Sequence, residues 1–106
     1  MINVSDALDI IEKYYDLKRP YITLDTAIID KFQYTIIFEY LDGSTCKLVL
    51  QYLEARFHEQ GKVEPVYVDA QTEFEEHIAA LAKLGASIYK QTVMLGAVIN
   101  DTIKPK

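Results

Sequence analysis

The sequence predicts an α+β fold: a two-layer domain with an N-terminal helix, an antiparallel β-meander of three to four strands, and a C-terminal helix packed on the sheet, followed by a further C-terminal element. Three observations predict it. Two alternating apolar segments flank Asp42-Gly43, the strongest short-range hairpin signal. An amphipathic stretch with helix-type charge order precedes that hairpin. A capping-box pattern, Thr72-Glu73-Phe74-Glu75, follows it and opens a second apolar stripe of helical period.

The first helix is expected over 4–18. Val4, Ala7, Leu8, Ile11, Tyr14 and Tyr15 recur at helical spacing. Asn3 or Ser5 can cap it. Asp6 and Asp9 lie early, Lys18 and Arg19 late, and Pro20 just beyond, an order that suits the helix dipole. Tyr21 to Leu24 is a short strand candidate. Thr26 to Lys31 suits a helical turn or an edge strand.

In the hairpin, Tyr34, Ile36, Phe38 and Tyr40 share one strand face, and Cys46, Leu48, Leu50 and Tyr52 share another. Keeping both rows buried on one side requires a register of even parity. Pairing 38 with 48 and 36 with 50 satisfies it, with Glu39 opposite Lys47 and an odd loop Asp42-Gly43-Ser44. An Asp-Gly turn followed by a bulge also serves. A plain two-residue turn would mix the faces.

The stretch 53–60 reads either as strand or as helix, since Leu53, Glu54, Ala55 and Arg56 are helix formers. His58 to Lys62 reads as a turn, and Val63, Val66, Tyr67 and Val68 as a third strand, with Pro65 marking an edge or bulge. The capping box then starts a helix buried through Phe74, Ile78, Leu81 and Ala82, with Gly85 as its stop. A longer helix through Ile88, Leu95 and Ile99 is the alternative. Tyr89, Gln91, Val93 and Leu95 alternate as a last strand, and residues 100–106 are a polar, frayed tail.

The chain has 106 residues, 50% hydrophobic and 25% charged, which reads as one domain, 1–106, able to bury a core without metal or disulfide. No apolar run approaches the ~18 residues of a membrane span, and no basic leader with an apolar core opens the sequence. Cys46 is the single cysteine, a small buried hydrophobe in this reading, and a reducing, cytoplasmic setting follows.

Catalytic and cofactor patterns are missing. His58 and His77 are the two histidines and match no metal-ligand spacing; His77 reads as an interfacial or surface side chain. The four glycines are isolated, and no nucleophile-elbow, zinc-protease, paired-cysteine or phosphate-loop pattern occurs. No enzyme activity and no cofactor are therefore expected.

Charge is the remaining signal. Between Glu54 and His77 there are seven acids against Arg56 and Lys62, so this segment alone carries the net charge of −5 while the rest, nine acids and nine bases, cancels. Acids opening a helix are favoured by its dipole. The functional reading is a docking face for a protein partner with a basic surface, carried by Glu54, Glu59, Glu64, Asp69, Glu73 and Glu76. The sequence has no basic, aromatic-interleaved patch for nucleic acid. Eight tyrosines suit half-buried and interfacial positions, and Tyr34, Tyr40 and Tyr52 are candidates for one exposed sheet patch. The reading is a small acidic interaction domain of inhibitor, immunity or adaptor type. A homo-oligomeric subunit of a viral or secretion assembly and a small ligand-binding domain are its rivals.

Overall fold

A computed structural model of the protein describes residues 2–29, 33–51 and 71–106. The elements run α1 (Val4–Tyr14), β1 (Ile22–Ile29), β2 (Gln33–Tyr40), β3 (Thr45–Gln51), α2 (Gln71–Lys83), β4 (Ile88–Met94) and β5 (Ala97–Ile103). The strands form one antiparallel sheet in the order β1-β2-β3-β4-β5. The α+β class is as expected, with five strands among the described residues where three to four were expected. The expected turn at 58–62 and strand at 63–68 lie outside the described residues, as do Tyr52 and His58.

α1 forms because Val4, Ala7, Leu8, Ile10 and Ile11 bury one stripe. Asn3 is its cap: the Asn3 side chain accepts from the Asp6 amide at 2.8 Å, satisfying one of the orphan donors of the first turn. The helix stops at Tyr14, earlier than periodicity suggests. Tyr15 is extended and forms an isolated bridge with Pro105. The Asp16 amide donates to the Lys104 carbonyl and the Lys106 amide to the Tyr14 carbonyl. Tertiary pairing of the backbone thus ends the helix. The same bonds tie down the C-terminal tail that reads as frayed, and 100–103 is the second half of β5.

The β2–β3 hairpin keeps both apolar rows on one face, as parity demands. Tyr34, Ile36, Phe38, Cys46, Leu48 and Leu50 are all buried. The register differs from the expected one by two residues: Phe38 faces Cys46, Ile36 faces Leu48, and Glu39 faces Thr45 rather than Lys47. The loop is Leu41-Asp42-Gly43, and Ser44 belongs to the ladder, its carbonyl accepting from the Tyr40 amide at 2.9 Å. The Gly43 amide closes the turn on the Tyr40 carbonyl at 3.0 Å, with Gly43 at φ +85°, a conformation that glycine adopts at little cost. The Asp42 carboxylate accepts from the Ser44 amide at 2.8 Å and its hydroxyl at 2.6 Å. These Ser44 bonds, hydroxyl first, hold the Asp42 carboxyl below its usual range. A shift of two preserves every face, so hydrophobic patterning alone cannot choose between the two registers.

α2 packs beside α1 over the same face of the sheet. Phe74, Ile78 and Leu81 join the core with Ile88 and Ile103. The Phe74 ring meets Tyr34 edge-on, 5.0 Å between centroids, and the Tyr34 hydroxyl is hydrogen-bonded to His77 Nδ1. His77 is therefore buried, not a surface side chain, and it pins α2 to β2. The helix ends where Gly85 predicts. Gly85, at φ +77°, donates to the Ala82 carbonyl, and Ala86 to the Leu81 carbonyl, the paired bonds of a Schellman stop. The chain then leaves as a strand, so the continuous-helix alternative over 86–99 does not form. Thr72 lies inside the first turn of α2 rather than capping it, and Glu75 turns toward α1 instead of back along its own helix. The capping-box expectation is corrected accordingly.

Candidate functional site

Two helices lying side by side leave a groove along their seam. Asp6, Asp9, Ile10, Lys13 and Tyr14 line it from α1. Gln71, Thr72, Glu75, Glu76 and Ala79 line it from α2, around a volume of about 540 Å³. Each helix supplies its residues by periodicity: Asp9 and Ile10 follow Asp6 by three and four and precede Lys13 by four and three, and Glu75 and Glu76 stand likewise between Thr72 and Ala79. Four carboxylates converge against one lysine.

The wall is clamped at one place. The Tyr14 hydroxyl donates to Glu75 Oε1 at 3.0 Å, and Lys13 Nζ donates to both Glu75 oxygens at 3.3 and 3.2 Å. The Tyr14 bond, then the Lys13 bond, lowers the Glu75 carboxyl below its ordinary value, and the same carboxylate raises the Tyr14 phenol. Asp9 is held by Arg19, whose guanidinium also reaches Glu12 at 3.4 Å and the Ser5 carbonyl at 3.2 Å. Glu75 and Asp9 are thus partly neutralised from within the chain. Asp6 and Glu76, on opposite walls, carry the remaining negative charge.

Of the six residues expected to form the docking face, Glu73 and Glu76 are described. Glu73 is half-buried and Glu76 exposed on α2. Glu54, Glu59, Glu64 and Asp69 lie outside the described residues. Sequence reasoning ascribed Asp6, Asp9 and Glu75 to helix-end chemistry and did not bring them to Glu76. That juxtaposition requires the α1–α2 contact, which no local pattern announces.

The tyrosine patch does not assemble. Tyr34 is fully buried and Tyr40 only half-exposed. Tyr40 packs edge-on against Phe38 at 5.4 Å, and burial, followed by a bond with Cys46, raises its phenol. Cys46 is itself buried, with the Thr92 hydroxyl 4.0 Å from its sulfur. A buried thiol in apolar surroundings is inert packing.

At the far end of the sheet, Lys18, Lys90, Lys104 and Lys106 surround a recess with Asp16 and Asp101. No cluster of histidine, cysteine or carboxylate side chains among the described residues could hold a metal ion. No described helix is long and apolar enough to cross a membrane. Comparison with known proteins finds no matching family model, no matching curated protein and no matching solved structure.

Proposed function

We propose that this chain is a small, non-enzymatic, cytoplasmic interaction domain of the inhibitor, immunity or adaptor type, and that its α1–α2 groove receives a basic element of a protein partner. One observation carries the reading. Asp6 from α1 and Glu76 from α2 both line a groove whose other acids, Asp9 and Glu75, already have internal partners. The lysines of the C-terminal hairpin gather around a separate recess. Segregated charge steers and orients an encounter more than it adds affinity. The acids at 54–69 extend the same sign of charge along the sequence.

A lysine-rich peptide titrated into the isotope-labelled chain tests this. Amide shifts should concentrate on 6–14 and 71–79 at low salt and fade as salt screens the field. Asp6→Lys with Glu76→Lys should abolish them while the fold persists. Shifts scattered over the surface, or unaffected by the double reversal, would refute the groove as the docking face.

A further inference from the structure

The β4–β5 hairpin breaks two rules at one residue. Val93-Met94-Leu95-Gly96-Ala97-Val98-Ile99 is an unbroken apolar run that forms the end of β4, the turn and the start of β5. Met94 pairs with Ala97, so the loop is Leu95-Gly96 alone, with φ of +51° and +79°. A two-residue loop positive at both positions is the type I′ turn, which selects Asn, Asp or Gly at its first position. Leucine there is strained, and Leu95 is 100% exposed. Neither the backbone nor the solvent favours it.

A recess of about 490 Å³ lies beside this knob, lined by Pro20, Tyr21, Tyr40, Leu41, Thr92 and Met94 among others. Tyr21 is 79% and Leu41 66% exposed. Thr92 and Ile99 are cross-strand partners and share the recess face, so Ile99, also exposed, extends it. Both turns and the start of β1 meet at this end of the sheet, because Ile22 pairs with Tyr40 and Thr45 with Val93.

We propose that this end of the sheet is the interface of a two-fold homodimer, with Leu95 of each copy seated in the Tyr21–Leu41–Met94 recess of the other. A two-fold interface requires knob and recess in the same patch, and here they are adjacent. Tyr21, Leu41, Met94, Leu95 and Ile99 are 79%, 66%, 39%, 100% and 53% exposed, an apolar patch that could form the centre of a standard interface of ~800 Å² per partner. Tyrosine, methionine and leucine at the centre match interface cores. Asp42 is the one charged residue lining the recess, and Ser44 holds its carboxylate. A lipid surface is the weaker occupant, because lysines would be needed beside the apolar tip. No lysine or arginine lines the recess: Arg19, next to Pro20, is paired with Asp9 and Glu12, and Lys90 and Lys104 lie toward the other end of β5.

Sedimentation equilibrium of the full chain over micromolar to high-micromolar concentration tests the proposal. The expected result is a monomer–dimer equilibrium in which Leu95→Asn weakens dimerisation more than about tenfold. That variant keeps its melting temperature at low concentration, since asparagine suits the turn. Tyr21→Ser should weaken the dimer similarly from the recess side. Asp6→Lys with Glu76→Lys should leave it unchanged, which separates this interface from the acidic groove. A wild-type monomer throughout, a dimer indifferent to Leu95→Asn, or a monomer that floats with neutral phosphatidylcholine vesicles would each overturn it.

Discussion

The β2–β3 and β4–β5 hairpins are built alike and situated oppositely. Each joins antiparallel strands through a short turn with glycine at positive φ, Gly43 at +85° and Gly96 at +79°. Yet β2 and β3 bury Tyr34, Ile36, Phe38, Cys46, Leu48 and Leu50 on the face the helices cover, whereas Met94 and Ile99, on that same face of β4 and β5, remain 39% and 53% exposed. Turn chemistry makes a hairpin; burial is decided by what lies above it. Among the described residues the core under the helices takes in β2 and β3, and from β4 and β5 Ile88 and Ile103 alone. Two hairpins of similar apolar content therefore play different roles, one as core and one as surface.

The sharpest way to break this comparison is truncation in each hairpin. Leu48→Ala should cost about 2–5 kcal/mol, the range for a buried large-to-small change. Leu95→Ala should stay within about 0.5 kcal/mol at concentrations where the chain is monomeric. Chemical denaturation of both variants would measure the gap. Equal losses would mean that the β4–β5 tip is as buried as the central strands.

Next in size is the tie between α1 and the start of β4. The Tyr15 hydroxyl donates to the Ala86 carbonyl at 2.7 Å, and burial pushes the phenol up to about 12 from 10.0. Tyr15→Phe should cost about 1–2 kcal/mol by leaving that carbonyl without its partner. A raised folded-state pKa means that the contribution is complete below pH 10 and is lost as pH climbs toward 12. The wild type should therefore lose melting temperature across that window more steeply than Tyr15→Phe. Parallel alkaline profiles would show that the hydroxyl is not held.

Smaller again is the pair Gly43→Ala and Gly96→Ala. An added Cβ would meet nothing within 4 Å at either glycine, so each substitution should cost only the left-handed backbone term, about 1 kcal/mol. Similar losses at both sites would sharpen the claim that the two glycines meet the same backbone demand while their surroundings differ. The smallest effect is expected at the groove. The Glu75 carboxyl, lowered by Tyr14 and then Lys13, supports the fold above the usual carboxylate range, and that support fades as pH falls through its lowered value. Tyr14→Phe should shift this acid limb slightly and leave neutral-pH stability nearly unchanged. A large loss at neutral pH would contradict the exposed character of the clamp.

Much of this was legible locally. The first helix was visible in the period of Val4, Ala7, Leu8 and Ile11, its cap in Asn3, and the stop of α2 in Gly85. Asp42-Gly43 announced the central hairpin. The second hairpin was not legible: the local pattern puts Leu95 in a last strand or a longer helix, because leucine stands at a turn position that selects asparagine. The acidic groove was legible only as scattered charges, since Asp6 and Glu76 line it from two helices far apart in sequence.

The sequence by itself determined the class of fold, the identity of the buried rows and the parity of their pairing. Those follow from side-chain period and turn residues, which act over a few positions. The tertiary structure alone decided the register, the length of α1, the order of the C-terminal strands and which apolar residues stay in water. A two-residue slip leaves the hydrophobic pattern unchanged, so the bonds of Ser44 and Gly43 choose it. Pairing of Tyr15 with Pro105 overrides helix propensity. Covering one hairpin and not the other depends on where two helices come to rest, and that is settled by contacts between residues distant along the chain.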